Sequence, residues 1–355
     1  MKLFLEDGTA IEGGSFGAKL KTPAFGEVVF NTGMVGYVES LTDPSYAGQI
    51  LVLTYPLVGN YGVPDKKFFE SSKIHVSGLI VSEYSEAYSS HTAKESLAEW
   101  LKASGVPAMT GVDTRALTKK LREHGVMLGA LSEKAKPRKF EDPNQRNLVA
   151  EVSVDKKKTY EPEGKPVATI VAVDCGMKEN IVRSFLTRNV RVIRVPWDYD
   201  FSSEEYDGLF ISNGPGDPTM CAATIKNLQG SLKGAKPILG ICLGTQLLAL
   251  ASGAKTYKLK YGHRSQNQPC TVVESGRCFI TSQNHGFAVD AKTLPKEWGV
   301  WFTNLNDGSV EGIRHKTKSI RATQFHPEAA PGPTDTAWVF DEFIVEMKKH
   351  KKKHD

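Results

Sequence analysis

The pattern of apolar and polar positions divides the chain into two parts that are organised differently. In the second part, short apolar runs alternate with amphipathic stretches of helical period. The apolar runs lie near 167–173, 190–195, 207–211 and 237–241, and the amphipathic stretches lie near 178–188, 222–232 and 243–252. Such alternation predicts a doubly wound, mostly parallel sheet with helices on both faces. A final helix is predicted over Thr334–Met347, with Phe340, Phe343, Ile344 and Met347 on one packing face.

The first part has a mixed pattern and predicts a smaller α/β domain. A hairpin turn is expected at Glu6-Asp7-Gly8-Thr9, followed by alternating strands at Glu27–Phe30 and Gln49–Tyr55. Two helices are predicted near 93–104 and 114–124. Asp113 is the expected N-cap of the second, and Gly105 and Gly125 close the two helices.

A change in composition marks the boundary between the parts. Residues 155–166 are charged, contain two prolines and lack apolar periodicity, which is typical of a linker. The predicted organisation is an N-terminal domain over 1–155, a linker over 156–166, a catalytic domain over 167–347 and a basic tail over 348–355.

Composition narrows the class of protein. The 355 residues are 40% hydrophobic and 24% charged, and no apolar run reaches the length of a membrane span, nor does the start resemble a secretory signal. The five cysteines are an odd set without a CxxC pair, which favours reduced thiols in the cytoplasm over disulfides or a zinc site. Most of the net charge of +5 lies in the tail, so nucleic acid is not an expected partner.

The stretch KPILGICLGTQLLAL predicts a nucleophile at Cys242. Gly240 and Gly244 flank it with the spacing of a nucleophile elbow, a tight turn from strand to helix that requires small neighbours. The thiol would lie at a helix N-terminus, where free N–H groups favour the thiolate and can stabilise an oxyanion. Taken alone, a cysteine on an apolar strand is more often a small buried hydrophobe.

A base for this thiol is expected in RATQFHPE. His326 and Glu328 stand two residues apart, so in extended chain both side chains point the same way. His326 could face the sulfur while Glu328 orients the imidazole. Taken alone, a His-x-Glu pair would usually be a surface pair.

A third segment, SNGPGDP, follows an apolar run. Gly214 and Gly216 lie two apart among prolines, so that backbone N–H groups can approach a ligand closely. The segment lacks the spacing of a dinucleotide or phosphate loop, and taken alone it would be an ordinary turn.

Together with ITSQNHGF, these segments resemble the class I (triad) glutamine amidotransferases. The N-terminal stretches EVVFNTGMVGYVESLTDPSYAGQILVLTYPLVGNYG and GVDTRALTKKLREHG narrow the resemblance to the small subunit, or glutaminase part, of carbamoyl phosphate synthetase. The phrases around SGRCFITSQNHGFAV are most like the glutaminase region of multifunctional pyrimidine-pathway proteins of animals. The resemblance covers the chain from Leu3 to about Met347.

The resemblance implies that L-glutamine is hydrolysed to glutamate and ammonia through a thioester on Cys242, with His326 and Glu328 completing the triad. The oxyanion would be met by the N–H groups of Leu243 and Gly216. The implied substrate-binding residues are Ser45, Gly214, Gly216, Leu243, Gln246, Asn284, Gly286 and Phe287.

The resemblance also implies that ammonia passes to a synthetase subunit or fused domain, which uses ATP, bicarbonate and Mg to make carbamoyl phosphate for pyrimidine or arginine biosynthesis. This chain has no phosphate loop, so no cofactor or metal is expected in it. The alternatives are a non-catalytic scaffolding subunit and a peptidase-like thiol hydrolase. The intact triad argues against the first, and the joint match of the glutamine-binding residues against the second.

Two positions depart from the family pattern. Thr245 stands where relatives often carry histidine, and Ser265 stands where they commonly carry glycine. We expect that Ser265 could disturb a loop that requires positive φ. Neither change removes a member of the triad.

Overall fold

A computed structural model describes residues 1–134 and 136–352 of the chain. Two compact units are present, Met1–Leu148 and Val149–Asp355. Within the described residues, no helix has the length and apolar character needed to cross a membrane.

The first unit is built on a mixed sheet. Its strands are β1 (Lys2–Leu5), β2 (Ala10–Glu12), β3 (Gly14–Ser15), β4 (Ala24–Asn31), β5 (Gln49–Leu53), β6 (Leu57–Val58), β7 (Val63–Pro64), β8 (Gly78–Ile80), β9 (Glu83–Tyr84), β10 (Ala93–Glu95), β11 (Ala108–Thr110) and β12 (Met127–Ser132). Its helices are α1 (Tyr37–Thr42), α2 (Leu97–Ala103) and α3 (Thr114–His124). Eight strands form one sheet in the order β2-β1-β12-β4-β5-β8-β11-β3.

Most of the elements predicted in this unit are confirmed. The hairpin joins β1 and β2 across residues 6–9, and Asp113 caps α3 by accepting from the backbone N–H of Ala116 at 2.8 Å. The helix predicted from residue 93 begins later, because 93–95 pair with β7 as strand β10 and Ser96 forms a capping box with Glu99. Strand β4 is buried along most of its length instead of alternating, as parallel strands covered on both faces are.

The second unit contains the doubly wound sheet that the sequence predicts. Its helices are α4 (Leu148–Val152, at the boundary of the units), α5 (Glu179–Leu186), α6 (Ala222–Ser231), α7 (Leu243–Ser252) and α8 (Trp338–Lys351). Its strands are β13 (Lys158–Tyr160), β14 (Ala168–Asp174), β15 (Val190–Pro196), β16 (Gly208–Ile211), β17 (Ile238–Ile241), β18 (Thr256–Val272), β19 (Cys278–Val289), β20 (Trp298–Asn304), β21 (Val310–His315) and β22 (Ile320–Thr323).

The order of the ten strands is β13-β15-β14-β16-β17-β22-β21-β20-β18-β19. Strands β15, β14, β16, β17 and β22 are parallel, and the long hairpin β18–β19 extends the sheet with β20 and β21 through antiparallel pairs. Apolar clusters cover the two faces. For example, Val171 and Val173 pack in one cluster, whereas Ile170 and Ala172 pack in the other.

The last helix differs from its prediction in its bounds, since α8 runs over Trp338–Lys351. Its predicted face is confirmed, because Phe340, Phe343, Ile344 and Met347 are all buried. Residues 348–351 of the predicted tail therefore continue a helix, and 353–355 lie outside the described residues.

The stretch predicted as a linker contains an edge strand. Lys158–Tyr160 form β13, which pairs antiparallel with β15. The ammonium of Lys158 lies over the ring of Tyr160. The hydrophobic pattern gives no signal for this strand, because its residues are exposed or half-buried. The predicted domain limits at 155 and 166 stay predictions.

Candidate active site

Cys242 lies at the turn between β17 and α7 and has a backbone conformation that is unusual for a non-glycine residue. Its φ is 53° and its ψ is −104°, and it is the N-cap residue of α7. Its backbone N–H donates to the carbonyl of Thr323 at 2.8 Å, which ties the turn to the end of β22. Positive φ in a side-chain-bearing residue costs about 1–3 kcal/mol and is typical of a nucleophile elbow.

The two flanking glycines are required by close packing. A Cβ on Gly244 would lie 2.3 Å from the carbonyl oxygen of Ile211, and one on Gly240 would lie 2.8 Å from the backbone of Gly244. The turn therefore packs backbone against backbone, and any side chain at these positions would displace it. This close packing is the steric reason for the two glycines that flank Cys242 in the sequence.

His326 is held beside this turn by the extended chain that follows β22. Its backbone N–H donates to the carbonyl of Ser282 at 2.9 Å, and its Nδ1 lies 2.6 Å from Oε1 of Glu328. Burial alone lowers the pKa of His326, but the charges of Glu328 and Cys242 outweigh burial and raise it above its usual value. The imidazole is thus prepared to carry a proton next to the sulfur.

Glu328 is fully buried and ionised. Burial alone raises its pKa, but the nearby charges of Lys178 and His326 lower it to about 2. Nζ of Lys178 lies 3.1 Å from Oε1 of Glu328, and it also donates to the carbonyl of Ala329. Both side chains of this ion pair are almost completely removed from solvent.

Residues of β19 and α7 also lie close to the sulfur. The thiol of Cys242 lies 3.6 Å from the carbonyl oxygen of Asn284. Nε2 of Gln246 donates to the carbonyl of Phe287 at 2.9 Å and to Oε1 of Gln324 at 3.1 Å. These contacts join Gln246, Asn284, Phe287 and the intervening Gly286 to the turn that carries the sulfur.

The SNGPGDP loop also packs against this turn. A Cβ on Gly214 would lie 1.9 Å from the carbonyl oxygen of Cys175 and 2.8 Å from Cδ2 of Leu243, so this position has no room for a side chain. Gly216 has a φ of 83°, where glycine is favoured. The loop thus lies beside the first residue of α7, and the oxyanion role of Leu243 and Gly216 stays a prediction.

Ser45 belongs to the first unit. It is buried in the short 3-10 turn Pro44–Tyr46, and its backbone N–H donates to Oδ1 of Asp43 at 2.9 Å. Its predicted role in glutamine binding stays a prediction.

Thr245 and Ser265, the two positions that depart from the family pattern, both lie in regular secondary structure. Thr245 is fully buried in α7, and its Oγ1 has no hydrogen-bond partner among the residues that the structure describes. Ser265 lies within β18, paired with Gln283, and is not among the residues with positive φ. The expectation that Ser265 disturbs a loop requiring positive φ is therefore wrong, because the position is extended strand.

Sequence reasoning missed Lys178. Its only signal was a lysine at the predicted start of α5, which would normally be a solvated residue. A lysine at the carboxyl end of a central parallel strand could have been recognised as near the site, because ligands and functional groups collect at that edge of such sheets. In the structure its side chain is 3% exposed.

In the comparison with known proteins, each of the two units matches a family model. Residues 171–345 match the family model described as glutamine amidotransferase class-I, and residues 3–131 match that of the carbamoyl-phosphate synthase small chain, CPSase domain.

Three relatives illustrate the similarity. The chain is 53% identical over 357 residues to the multifunctional protein CAD of Squalus acanthias, covering 96% of this chain and 16% of that protein. It is 50% identical over 391 residues to the multifunctional protein URA2 of Saccharomyces cerevisiae, covering 98% and 18%. It is 48% identical over 363 residues to the carbamoyl phosphate synthase arginine-specific small chain of Neosartorya fischeri, covering 98% and 80%.

The chain thus spans less than a fifth of each of these two multifunctional relatives but most of the separate small chain. The resemblance drawn from the motifs is confirmed over both units, and the α/β fold class with it. The elbow cysteine, its buried histidine–glutamate pair and the N-terminal unit all lie within the matched segments or directly beside them. This chain belongs to the family of carbamoyl-phosphate synthase small chains, whose second unit is a class I glutamine amidotransferase domain.

Proposed function

We propose that this chain is the glutaminase component of a glutamine-dependent carbamoyl phosphate synthetase. It hydrolyses L-glutamine to glutamate and delivers the ammonia to a synthetase subunit or fused domain. The carbamoyl phosphate made there enters pyrimidine or arginine biosynthesis. Membership of the family supports this function, and the names of the relatives include both a multifunctional protein and an arginine-specific small chain.

One observation carries the chemical part of the proposal. The nucleophile follows β17 and the base follows β22, and these strands are parallel neighbours in which Ile241 is opposite Thr323. Cys242 and His326 therefore emerge at the same edge of the sheet, and Glu328 lies 2.6 Å behind the imidazole. A thiol, an imidazole and a carboxylate in this order are the groups that acyl transfer requires.

In the first half-reaction, the thiolate of Cys242 adds to the side-chain amide carbon of glutamine. The oxyanion is stabilised by the N–H groups of Leu243 and Gly216. His326, held protonated by Glu328, gives its proton to the departing nitrogen, so the C–N bond breaks and ammonia leaves. A γ-glutamyl thioester remains on the sulfur.

In the second half-reaction, neutral His326 takes a proton from water, and the hydroxide adds to the thioester carbon. The C–S bond then breaks, glutamate leaves, and the thiolate–imidazolium pair is restored. His326 transfers the proton given to ammonia and the proton taken from water, and the γ-carboxyl proton of the product passes to solvent. The chemistry therefore needs no cofactor or metal from this chain. ATP, bicarbonate and Mg belong to the synthetase.

Two further assignments rest on the same proposal. The partners are L-glutamine and a synthetase subunit or domain, without nucleic acid or membrane. A cytoplasmic location is the expectation from the free cysteines, although one relative is named as a mitochondrial synthase.

The test is to follow glutamate release by this chain, first alone and then during titration with a matching synthetase supplied with ATP and bicarbonate. We expect slow hydrolysis alone and an acceleration of about 5–150-fold on saturation, the usual range of coupling between sites. A rate that stays flat while a complex is demonstrated by ultracentrifugation would contradict the coupling. Absence of glutamate release in both arms would contradict the glutaminase itself.

A further inference from the structure

A second cluster of functional groups is formed by the hairpin β18–β19 together with β21. His263 comes from β18, His285 from β19 and Glu311 from β21, and all three are buried. One ligand atom from each lies within 4.8 Å of the others. The proposed hydrolysis uses none of these side chains.

The outer nitrogen of each imidazole already has an acceptor. Nδ1 of His285 lies 2.9 Å from the carbonyl oxygen of Phe287, which can only accept, so Nδ1 carries the hydrogen. Nε2 of His263 lies 2.9 Å from Oδ2 of Asp307, whose pKa stays below its usual value despite partial burial. With Nε2 of His263 as the donor to Asp307, the lone pairs of both rings lie on the inner nitrogens.

The inner nitrogens face other acceptors. Nδ1 of His263 lies 3.2 Å from Oε1 of Glu311, and Nε2 of His285 lies 3.8 Å from the same oxygen. Nε2 of His285 also lies 3.1 Å from Oε1 of Gln283. The second carboxylate oxygen of Glu311 is buried and has no hydrogen-bond partner.

The orientation of the Gln283 amide is fixed from outside the cluster. The hydroxyl of Thr281 donates to the carbonyl of Gln268 at 2.9 Å, so its oxygen accepts from Nε2 of Gln283 at 3.1 Å. Rotating the amide would place two acceptors against each other at Thr281. The carbonyl oxygen of Gln283 must therefore point at His285.

We propose that His263, His285 and Glu311 bind a zinc ion, with the side-chain carbonyl of Gln283 as the fourth ligand. Imidazole nitrogens and carboxylate oxygens are standard zinc ligands, and bonds of about 2.0–2.2 Å in a tetrahedron place neighbouring ligand atoms about 3.4 Å apart. Three of the six separations between these ligand atoms are 3.1, 3.2 and 3.8 Å. The ligand atoms of the two histidines and Glu311 lie within 4.8 Å of one another, so binding would draw them together.

The surroundings of the cluster match those of zinc sites. Histidines that bind zinc usually donate their other N–H to a carboxylate or a backbone carbonyl, as His263 does to Asp307 and His285 to Phe287. Ligating carboxylates are hydrogen-bonded in turn, and Nδ2 of Asn304 lies 3.1 Å from Oε1 of Glu311.

The competing arrangement is a proton on Nδ1 of His263. This hydrogen would be donated to Oε1 of Glu311, which lies 3.2 Å away. It would leave Nε2 of His285 facing the side-chain carbonyl oxygen of Gln283 at 3.1 Å. One divalent ion would accept the lone pairs of both inner nitrogens, Nδ1 of His263 and Nε2 of His285, at once.

This ion would be structural. It would join β18, β19 and β21 and fix the hairpin that carries Asn284 and Phe287, and none of its ligands belongs to the proposed triad. It revises the expectation that the chain holds no metal, while the hydrolysis itself remains free of one.

The test uses the full chain without a purification tag, freed of metal by a chelator and dialysed. Titration with Zn²⁺ should give one tightly bound ion per chain by elemental analysis and raise the melting temperature. Co²⁺ in its place should give the visible absorption of a tetrahedral nitrogen–oxygen site. His263→Gln and Glu311→Gln should each weaken Zn²⁺ binding at least about 100-fold, and Asp307→Asn, which keeps all ligands, about 10–100-fold.

Two control variants separate this site from other zinc ligands. His124→Gln changes an exposed histidine of the first unit, and Cys242→Ser removes the reactive thiol. Both should keep one Zn²⁺ per chain. A folded wild-type chain that binds less than a tenth of an equivalent would overturn the proposal in favour of the proton. Loss of the ion in Cys242→Ser, or its retention in both ligand variants, would also overturn it.

Discussion

Oε1 of Glu328 accepts from Nδ1 of His326 at 2.6 Å, and both side chains are shielded from solvent. The carboxylate is a stable partner because the ammonium of Lys178 lies 3.1 Å away. The imidazole is thus held in one orientation by a buried anion that is itself neutralised. The carboxylate that orients His326 is therefore itself paired with an ammonium group, in contrast to a histidine–carboxylate pair that has no neighbouring cation.

Cys242→Ser should reduce glutamine hydrolysis by roughly three orders of magnitude or more, because a serine hydroxyl at this turn is not ionised. The circular dichroism spectrum should be unchanged, since the side chains have nearly the same shape. Cys278→Ser, at the exposed cysteine of β19, is the matched control and should keep full activity. Hydrolysis at the wild-type rate by Cys242→Ser would contradict the assignment of the nucleophile.

His326→Asn should slow both half-reactions, because it removes the proton donor of the first and the base of the second. If some attack by Cys242 is retained, the thioester should accumulate, since its breakdown lacks the base that activates water. Acid quenching during turnover followed by mass spectrometry should then find one glutamyl group on the peptide that contains Cys242. The double variant with Cys242→Ser is the control and should carry no adduct. An adduct on another cysteine would rule out this site.

Lys178→Met should remove the cation that keeps Glu328 ionised and cost about 3–5 kcal/mol at pH 7, as breaking a buried ion pair does. In the wild type, ionised Glu328 stabilises the fold fully above its usual pKa of 4.5, and this contribution is lost as the pH falls through about 2. The stability gap between wild type and variant, measured by urea unfolding, should therefore shrink from pH 5 toward pH 3.

Lys349→Met is the matched control, because this lysine pairs with Glu346 on the exposed side of α8. It should change the stability by less than about 1 kcal/mol at either pH. If the gap for Lys178→Met stays constant between pH 5 and pH 3, Glu328 does not depend on Lys178 for its charge.

Ser45→Ala tests the one predicted binding residue that lies in the first unit. If Ser45 contacts glutamine equally in the ground state and the transition state, its loss should raise KM and leave kcat nearly unchanged. Ser104→Ala, at the end of α2, is a suitable control. An unchanged KM for Ser45→Ala would remove Ser45 from the binding site.

The central part of the second unit could be predicted because local signals and the fold agree there. The apolar runs at β14–β17 and the glycines around Cys242 lie where local sequence alone demands a strand or a tight turn. The placement of Cys242, His326 and Glu328 followed from the same logic, since an elbow turn and a histidine that follow neighbouring parallel strands meet at one sheet edge.

Other features depend on partners that are distant in sequence. The long strands β18 and β19 carry many buried polar residues, so no apolar alternation marks them. Some of these side chains find partners on other strands, as His263 does with Glu311 of β21. The buried ammonium of Lys178 is paired with Glu328, which lies 150 residues later in the chain. Pairings of this kind cannot be deduced from a window of sequence.

The residues proposed as nucleophile and base follow neighbouring parallel strands, and this has a mechanical consequence. The ends of β17 and β22 are fixed by their backbone hydrogen bonds, and the backbone of His326 is held in addition by the carbonyl of Ser282 in β19. A slip of the register by a single residue would reverse the facing of every side chain on β22. The reactive geometry should therefore persist in denaturant until this pair of strands separates, so that activity and the central sheet disappear together.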